Sequence, residues 1–228
     1  VFAASNLSPR TRNLAAGLIH RAWGWITTVG CVSPDDALGR RFHSLGARSC
    51  LCFPPGSVFG ESGIAIGTET LIGPHVSLSA GLPGQPPSTG PGAAPIVVIG
   101  DRCSIGRGSS IVGMQRIEIG DDVAIGPYVY ITDHNHSYSD VEVPISQQLP
   151  SEGTVRVGAG SWLGTGVVVL PGSDIGRHVA VAAGSVVRGV VPDRSVVAGV
   201  PAQVVRQYSD EDGWLAARQR PLPATPPP

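Results

Sequence analysis

The sequence predicts an all-β chain wound into a triangular prism, a parallel β-helix of about five coils, with a helical segment before it and a short helix after it. Three observations carry this. An Ile, Leu or Val recurs every six positions in triples. Gly follows that marker in the first two units of a triple and never in the third. Four positions beyond the marker, the first two units carry only small or β-branched residues.

The markers are Ile66, Ile72, Leu78; Ile99, Ile105, Ile111; Ile119, Ile125, Ile131; Val157, Leu163, Val169; and Ile175, Val181, Val187. Ala182 is the single exception among the glycines that follow the first two markers. The third units instead continue with Ser79, Val112, Thr132, Leu170 and Arg188. The true period is therefore eighteen, made of three unequal sides. A six-residue unit cannot bury an apolar face alone, whereas stacked coils can. The marker points to the axis, and Gly at the next position lets the backbone turn a corner without steric cost. Thr70, Val76, Cys103, Ser109 and their equivalents complete the inner lining.

The interruptions locate the loops. The first markers of successive triples lie 33, 20, 38 and 18 residues apart, so every surplus enters after the third side has begun. The extra chain should leave the prism along one edge. Two large excursions are expected, at 80–96 and 137–154. The first is rich in Pro and Gly and reads as a flap; the second begins directly after a His cluster, as a substrate loop would.

The flanks divide the chain into an N-terminal helical or irregular segment over 1–52, the β-helix over 53–202, and a C-terminal segment over 203–228. Arg10 to Val32 reads as helix, with Arg10, Arg12 and Arg21 its only fixed charges beside Leu14, Leu18, Trp23, Trp25 and Ile26. The first expectation for it is an end-cap packed on the prism; docking on a membrane surface is the second. Residues 203–219 read as a short helix, and the tail from Pro221 is too rich in proline to order by itself.

Composition narrows the function. A formal net charge of −1 supplies no basic field for nucleic acid. Four cysteines do not make a disulfide framework in a chain of this size. Cys103 falls at an inward repeat position. Cys50 and Cys52, with His43 nearby, are read as packed thiols before they are read as a metal site. No stretch is long and apolar enough to span a bilayer, and no signal-peptide layout is evident; a cytoplasmic location is expected.

Four ordered segments resemble the hexapeptide-repeat acyltransferases, in particular the sugar O-acetyltransferase group that includes maltose and galactoside acetyltransferases. They are ITDHNHSYSD followed by PISQQ, VGAGSWLGTGVVVLPGSDIG, VAAGSVV, and VVAGVPAQVV. The similarity covers roughly 58–206. It implies a left-handed coil, against the usual right-handed crossover, a homotrimer with sites between adjacent subunits, and acyl-CoA, acetyl-CoA first, as donor to a sugar or glycoconjugate hydroxyl. No metal is expected.

Acyl transfer from a thioester to a hydroxyl needs a base, because the hydroxyl is a poor nucleophile until its proton leaves. Imidazole, titrating near neutrality, suits the step. The resemblance puts His136, five residues after Ile131, in that role, with His134 the alternative. Asp133 is placed either to orient an imidazole or simply to form the turn. The resemblance sets Trp162 beside the CoA arm. It gives Gly164, Thr165, Ala183 and Gly184 backbone contacts to pantetheine, Arg188 and Arg206 the phosphates, and Pro201 the adenine. The same residues also read as a corner aromatic, turn formers and solvated charges. His20, His43, His75 and His178 receive no catalytic part.

Three other readings stand beside this one. One is N-acylation of an amino sugar. Another is a zinc-dependent β-helix of the γ-carbonic-anhydrase kind, which needs three converging His. The third is a scaffold without catalysis.

Overall fold

The structure, a computed structural model, describes residues 8–82 and 94–216. Short strands stack into sheets of seven, nine and six strands, parallel except for the last two strands of the nine-stranded sheet, and these sheets form the first, second and third sides of a left-handed parallel β-helix. All fifteen markers are buried, none more than 4% exposed. They stack on one another: Ile119 pairs with both Ile99 and Val157, Ile125 with Ile105 and Leu163, and Ile131 with Ile111 and Val169. The small inward positions are buried as well, and the hydroxyls of Thr70, Ser109 and Ser161 donate to carbonyls of the next coil. Ser161 Oγ, for example, donates to Gly176 O at 2.9 Å. Cys103 follows the same pattern, its Sγ 3.1 Å from Gly120 O.

The glycines after the markers are needed for a different reason than a permissive turn. Gly126 and Gly158 have ordinary negative φ, but a Cβ on Gly126 would lie 2.8 Å from Thr165 N, and one on Gly158 would lie 2.5 Å from Gly176 C. They let one coil sit directly on the next. The left-handed conformation falls two residues later, at Gly108, Gly160, Gly166 and Gly184, and at residues such as Arg102, Asp122 and His178 that adopt it at a cost.

The prism is longer than the five marked coils. Its first rung is built from Ser44–Leu45, Cys50–Leu51 and Val58–Phe59, so coiling begins inside the segment expected to be non-repetitive. Cys50 and Cys52 lie against Cys31 on this rung, where burial pushes the Cys52 thiol up to about 11. At the other end Val190–Val191 and Ser195–Gly199 add a partial coil.

Two flank expectations are corrected. Residues 203–216 are not helical: Ala202–Ser209 pairs antiparallel with Ser195–Gly199, and Gly213–Ala216 pairs antiparallel with that strand in turn. The last coil would otherwise present an open strand edge, and Val204 and Val205 are β-branched residues suited to closing it. The Tyr208 ring packs edge-on against Trp214 with centroids 5.6 Å apart. Helix α1 (Pro9–Val29) does form, but it buries no residue and caps nothing. The interior of the 80–96 excursion and the tail from 217 lie outside the described residues.

Candidate active site

In the five marked coils the extra chain leaves along the edge where the third side passes to the first, as the spacing predicts. Ser110–Gly113 is followed there by the turn Met114–Arg116, and Tyr130–Thr132 by the excursion that ends at Val155. Asp133 joins the two. Its fully buried carboxylate accepts the backbone N–H groups of Met114, Gln115 and Arg116 at 2.8, 2.8 and 2.7 Å. The carboxylate therefore closes the turn of the preceding coil. Its Oδ1 also lies 3.0 Å from Nδ1 of His134. Because a carboxylate is an acceptor, this contact places the proton on Nδ1 and leaves Nε2 as the basic nitrogen.

The loop root is clamped by backbone as well. Gly153 N donates to Asp133 O at 2.7 Å, and His134 and Asn135 pair antiparallel with Glu152 and Ser151. His136 is the first residue beyond this ladder, and it is exposed. The loop that follows is tied by Gln148, whose Nε2 donates to the carbonyls of Asp140 and Val143, each at 2.8 Å. A depression of about 480 Å³ lies along its 138–145 stretch.

The residues expected to hold the donor gather elsewhere. Trp162 stands on the second side between Ala124 and Ala180, with 54% of its surface exposed. Gly164, Thr165, Ala183, Gly184 and Pro201 rise beside it along the edge between the second and third sides. Here the coil uses some amides itself: Gly164 N donates to Val181 O, and Gly184 N to Thr165 O. Among the described residues the N–H groups of Thr165 and Ala183 have no acceptor, each nitrogen lying against the glycine of the preceding coil, Gly126 and Gly164. Arg188 and Arg206 do not join this column. Arg188 ends the third side, at the histidine edge, and Arg206 pairs with Val196 on the closing hairpin. One chain thus separates imidazole and amide column by the width of its third side, about 16 Å at a strand's rise.

A groove of about 510 Å³ on the outer face of the first side was not anticipated. Glu118 sits in it between Arg116 and Arg156, 2.8 and 3.2 Å away. The Arg116 hydrogen bond, then the charges of Arg116 and Arg156, hold its carboxyl below the usual range. The position before each first marker, occupied here by Val98, Glu118, Arg156 and Asp174, carried the signal.

Comparison with known proteins agrees with this architecture. Residues 154–189 match the bacterial transferase hexapeptide family, described as six repeats. The chain is 36% identical over 123 residues to WbbJ of Escherichia coli, named for O-acetyl transfer in lipopolysaccharide biosynthesis; the match covers 51% of this chain and 63% of that protein. It is 33% identical over 108 residues to the galactoside O-acetyltransferase of the same organism, covering 45% and 50%. The match thus spans less than two thirds of either relative's length. Among solved structures, AntD, an N-acyltransferase from Bacillus cereus in complex with dTDP and 3-hydroxybutyryl-CoA, superposes with a TM-score of 0.64 at 20% identity, over 79% of this chain and 90% of that one. That likeness is one of fold. The family match falls within the stacked coils, and the relatives found by sequence are named as acetyltransferases.

Proposed function

We propose that this chain is a CoA-dependent O-acyltransferase, moving an acyl group, acetyl in the first instance, from acyl-CoA to a hydroxyl of a sugar or glycoconjugate. The observation that carries the reading is the division of labour between two edges: two histidines at a backbone-clamped loop root on one, and corner amides beside Trp162 on the other. Packing three copies around an axis brings the histidine edge of one chain against the amide edge of the next. In this reading the assembly is a homotrimer with its sites between subunits, in the cytoplasm, where acyl-CoA is made.

In the ternary complex His136 takes the acceptor's proton as the hydroxyl oxygen attacks the thioester carbonyl. The carbonyl oxygen gains negative charge, and an unpaired corner amide can stabilise it. Collapse of the tetrahedral intermediate breaks the C–S bond, and the departing thiolate recovers the proton from the imidazolium. The names of the relatives found by sequence favour oxygen over nitrogen as the acceptor atom. One observation supports a second assignment of the base: His134 has the orienting carboxylate, as a catalytic imidazole in a triad does.

The experiment is a comparison of His136→Ala, His134→Ala and wild type in acetyl transfer to mono- and oligosaccharides, following thiol release. Loss of about 10²–10⁴-fold in kcat for His136→Ala, with acetyl-CoA affinity kept, is the expected result. The same loss confined to His134→Ala moves the base by two residues. Undiminished transfer by both variants overturns the reading.

A further inference from the structure

The least explained surface of the molecule is α1. Its N-terminus is well formed, with Ser8 accepting from Thr11 N and Pro9 in the first turn, yet no residue along its length is buried. At about 100° per residue, Leu14, Leu18, Trp25 and Val29 form one stripe, with Ile19 and Ile26 beside it. These four stripe residues are 70%, 62%, 66% and 62% exposed. Arg21 and Arg10 border this sector beside Leu14, Arg12 and Trp23 border it on the other side beyond Ile19, and Asn13, His20 and Thr27 face away. From Ser8 to Ser33 there is no acidic residue, so the helix carries three guanidinium charges and no counter-charge. The chain rejoins the prism only beyond the helix end, where Val32 pairs with Leu51.

We propose that α1 lies in the interfacial layer of a membrane containing anionic lipids. An apolar sector flanked on both sides by arginines, with one tryptophan inside it and a second at its edge, is what such a surface takes up. Arg12 at the border can extend its head to the lipid phosphates while its stem stays on apolar surface. No helix among the described residues is long and apolar enough to cross a membrane, so α1 rests on the surface and does not span it. A second copy of the helix is a poorer occupant, because three guanidinium groups from each copy would then meet with no acid between them.

The test is co-sedimentation of the full chain with vesicles of phosphatidylcholine alone and of three parts phosphatidylcholine to one of phosphatidylserine, read without any activity assay. Three arginines predict about a hundredfold preference for the anionic vesicles at moderate salt, shrinking as salt is raised. Arg10→Gln/Arg12→Gln/Arg21→Gln should lose that preference, and Leu18→Asp/Trp25→Asp should lose binding altogether with its circular dichroism and Tm unchanged. Trp23 and Trp25 fluorescence should be quenched by brominated acyl chains. Absence of wild-type binding overturns the proposal, as does binding that survives Leu18→Asp/Trp25→Asp. A fall in oligomer mass in that variant, without any wild-type vesicle binding, would assign the stripe to a second copy instead.

Discussion

Asp133 Oδ1 accepts the amide of Met114 at 2.8 Å, across a full coil of the prism. The same carboxylate serves two further amides and His134, so it fixes the turn below and the imidazole beside it at once. Asp133→Asn offers only one acceptor oxygen to these donors and presents its NH₂ to others, leaving buried N–H groups unpaired. A loss of about 2–4 kcal/mol is expected, read as a lower urea midpoint. Amide exchange at Met114–Arg116 should accelerate in step, and transfer should fall even at temperatures where the variant is folded.

Two kinds of glycine should respond differently to alanine. A Cβ on Gly126 meets backbone of the next coil, which cannot move without opening the stack. A Cβ on Gly166 meets nothing within 4 Å, and only its φ of +68° is unfavourable. Gly126→Ala should cost the more, about 3 kcal/mol or above from overpacking, and Gly166→Ala about 1 kcal/mol. Thermal unfolding of the two variants checks the order; a reversed order would mean that turn strain, not coil contact, governs the corners.

The coil register was legible because one physical demand, a small or aliphatic residue facing the axis, repeats at fixed spacing. It failed where the spacing failed. Leu45 and Leu51 are six apart and Gly46 follows the first, but Val58 comes one residue late, so the first rung passed as irregular chain. At the far end only four residues separate Val187 from Val191, and the last partial coil was lost in the same way. The closing hairpin depends on an exposed strand edge that no local pattern announces. For the site, the sequence placed Asp133 beside two histidines. Its hold on Met114–Arg116 exists only once coils stack. Neither could periodicity say that the apolar stripe of α1 would be left uncovered, since a helix packed on the prism end carries the same stripe.

Acid should weaken the first side. The Glu118 carboxyl is held below its ordinary value, so its ion pairs stabilise the fold fully above the unfolded pKa, near 4.5, and the contribution disappears as pH falls through the lower folded value. Because Glu118 is 36% exposed, the contribution is screened and stays below about 1 kcal/mol. Glu118→Gln should lower Tm slightly at pH 7, and the difference should shrink as pH falls below about 4.5 and as salt is raised.

The separation of the histidine edge from the amide edge makes its own prediction about assembly. Take one chain carrying His134→Ala and His136→Ala, and a second carrying Ala183→Trp, which fills the corner beside Thr165 with a large side chain. Each homo-oligomer should be inactive. If a site takes its imidazole from one subunit and its corner amides from the next, a ring assembled from equal amounts of the two holds intact sites wherever an Ala183→Trp chain offers its histidines to a double-alanine neighbour. Random assembly then restores about one quarter of wild-type activity, since each interface needs the right chain on both sides. If each chain housed a whole site, every site would carry one of the two defects and mixing would restore nothing. Denaturing and refolding the two chains together, with the separately refolded proteins mixed afterwards as the control, distinguishes the cases.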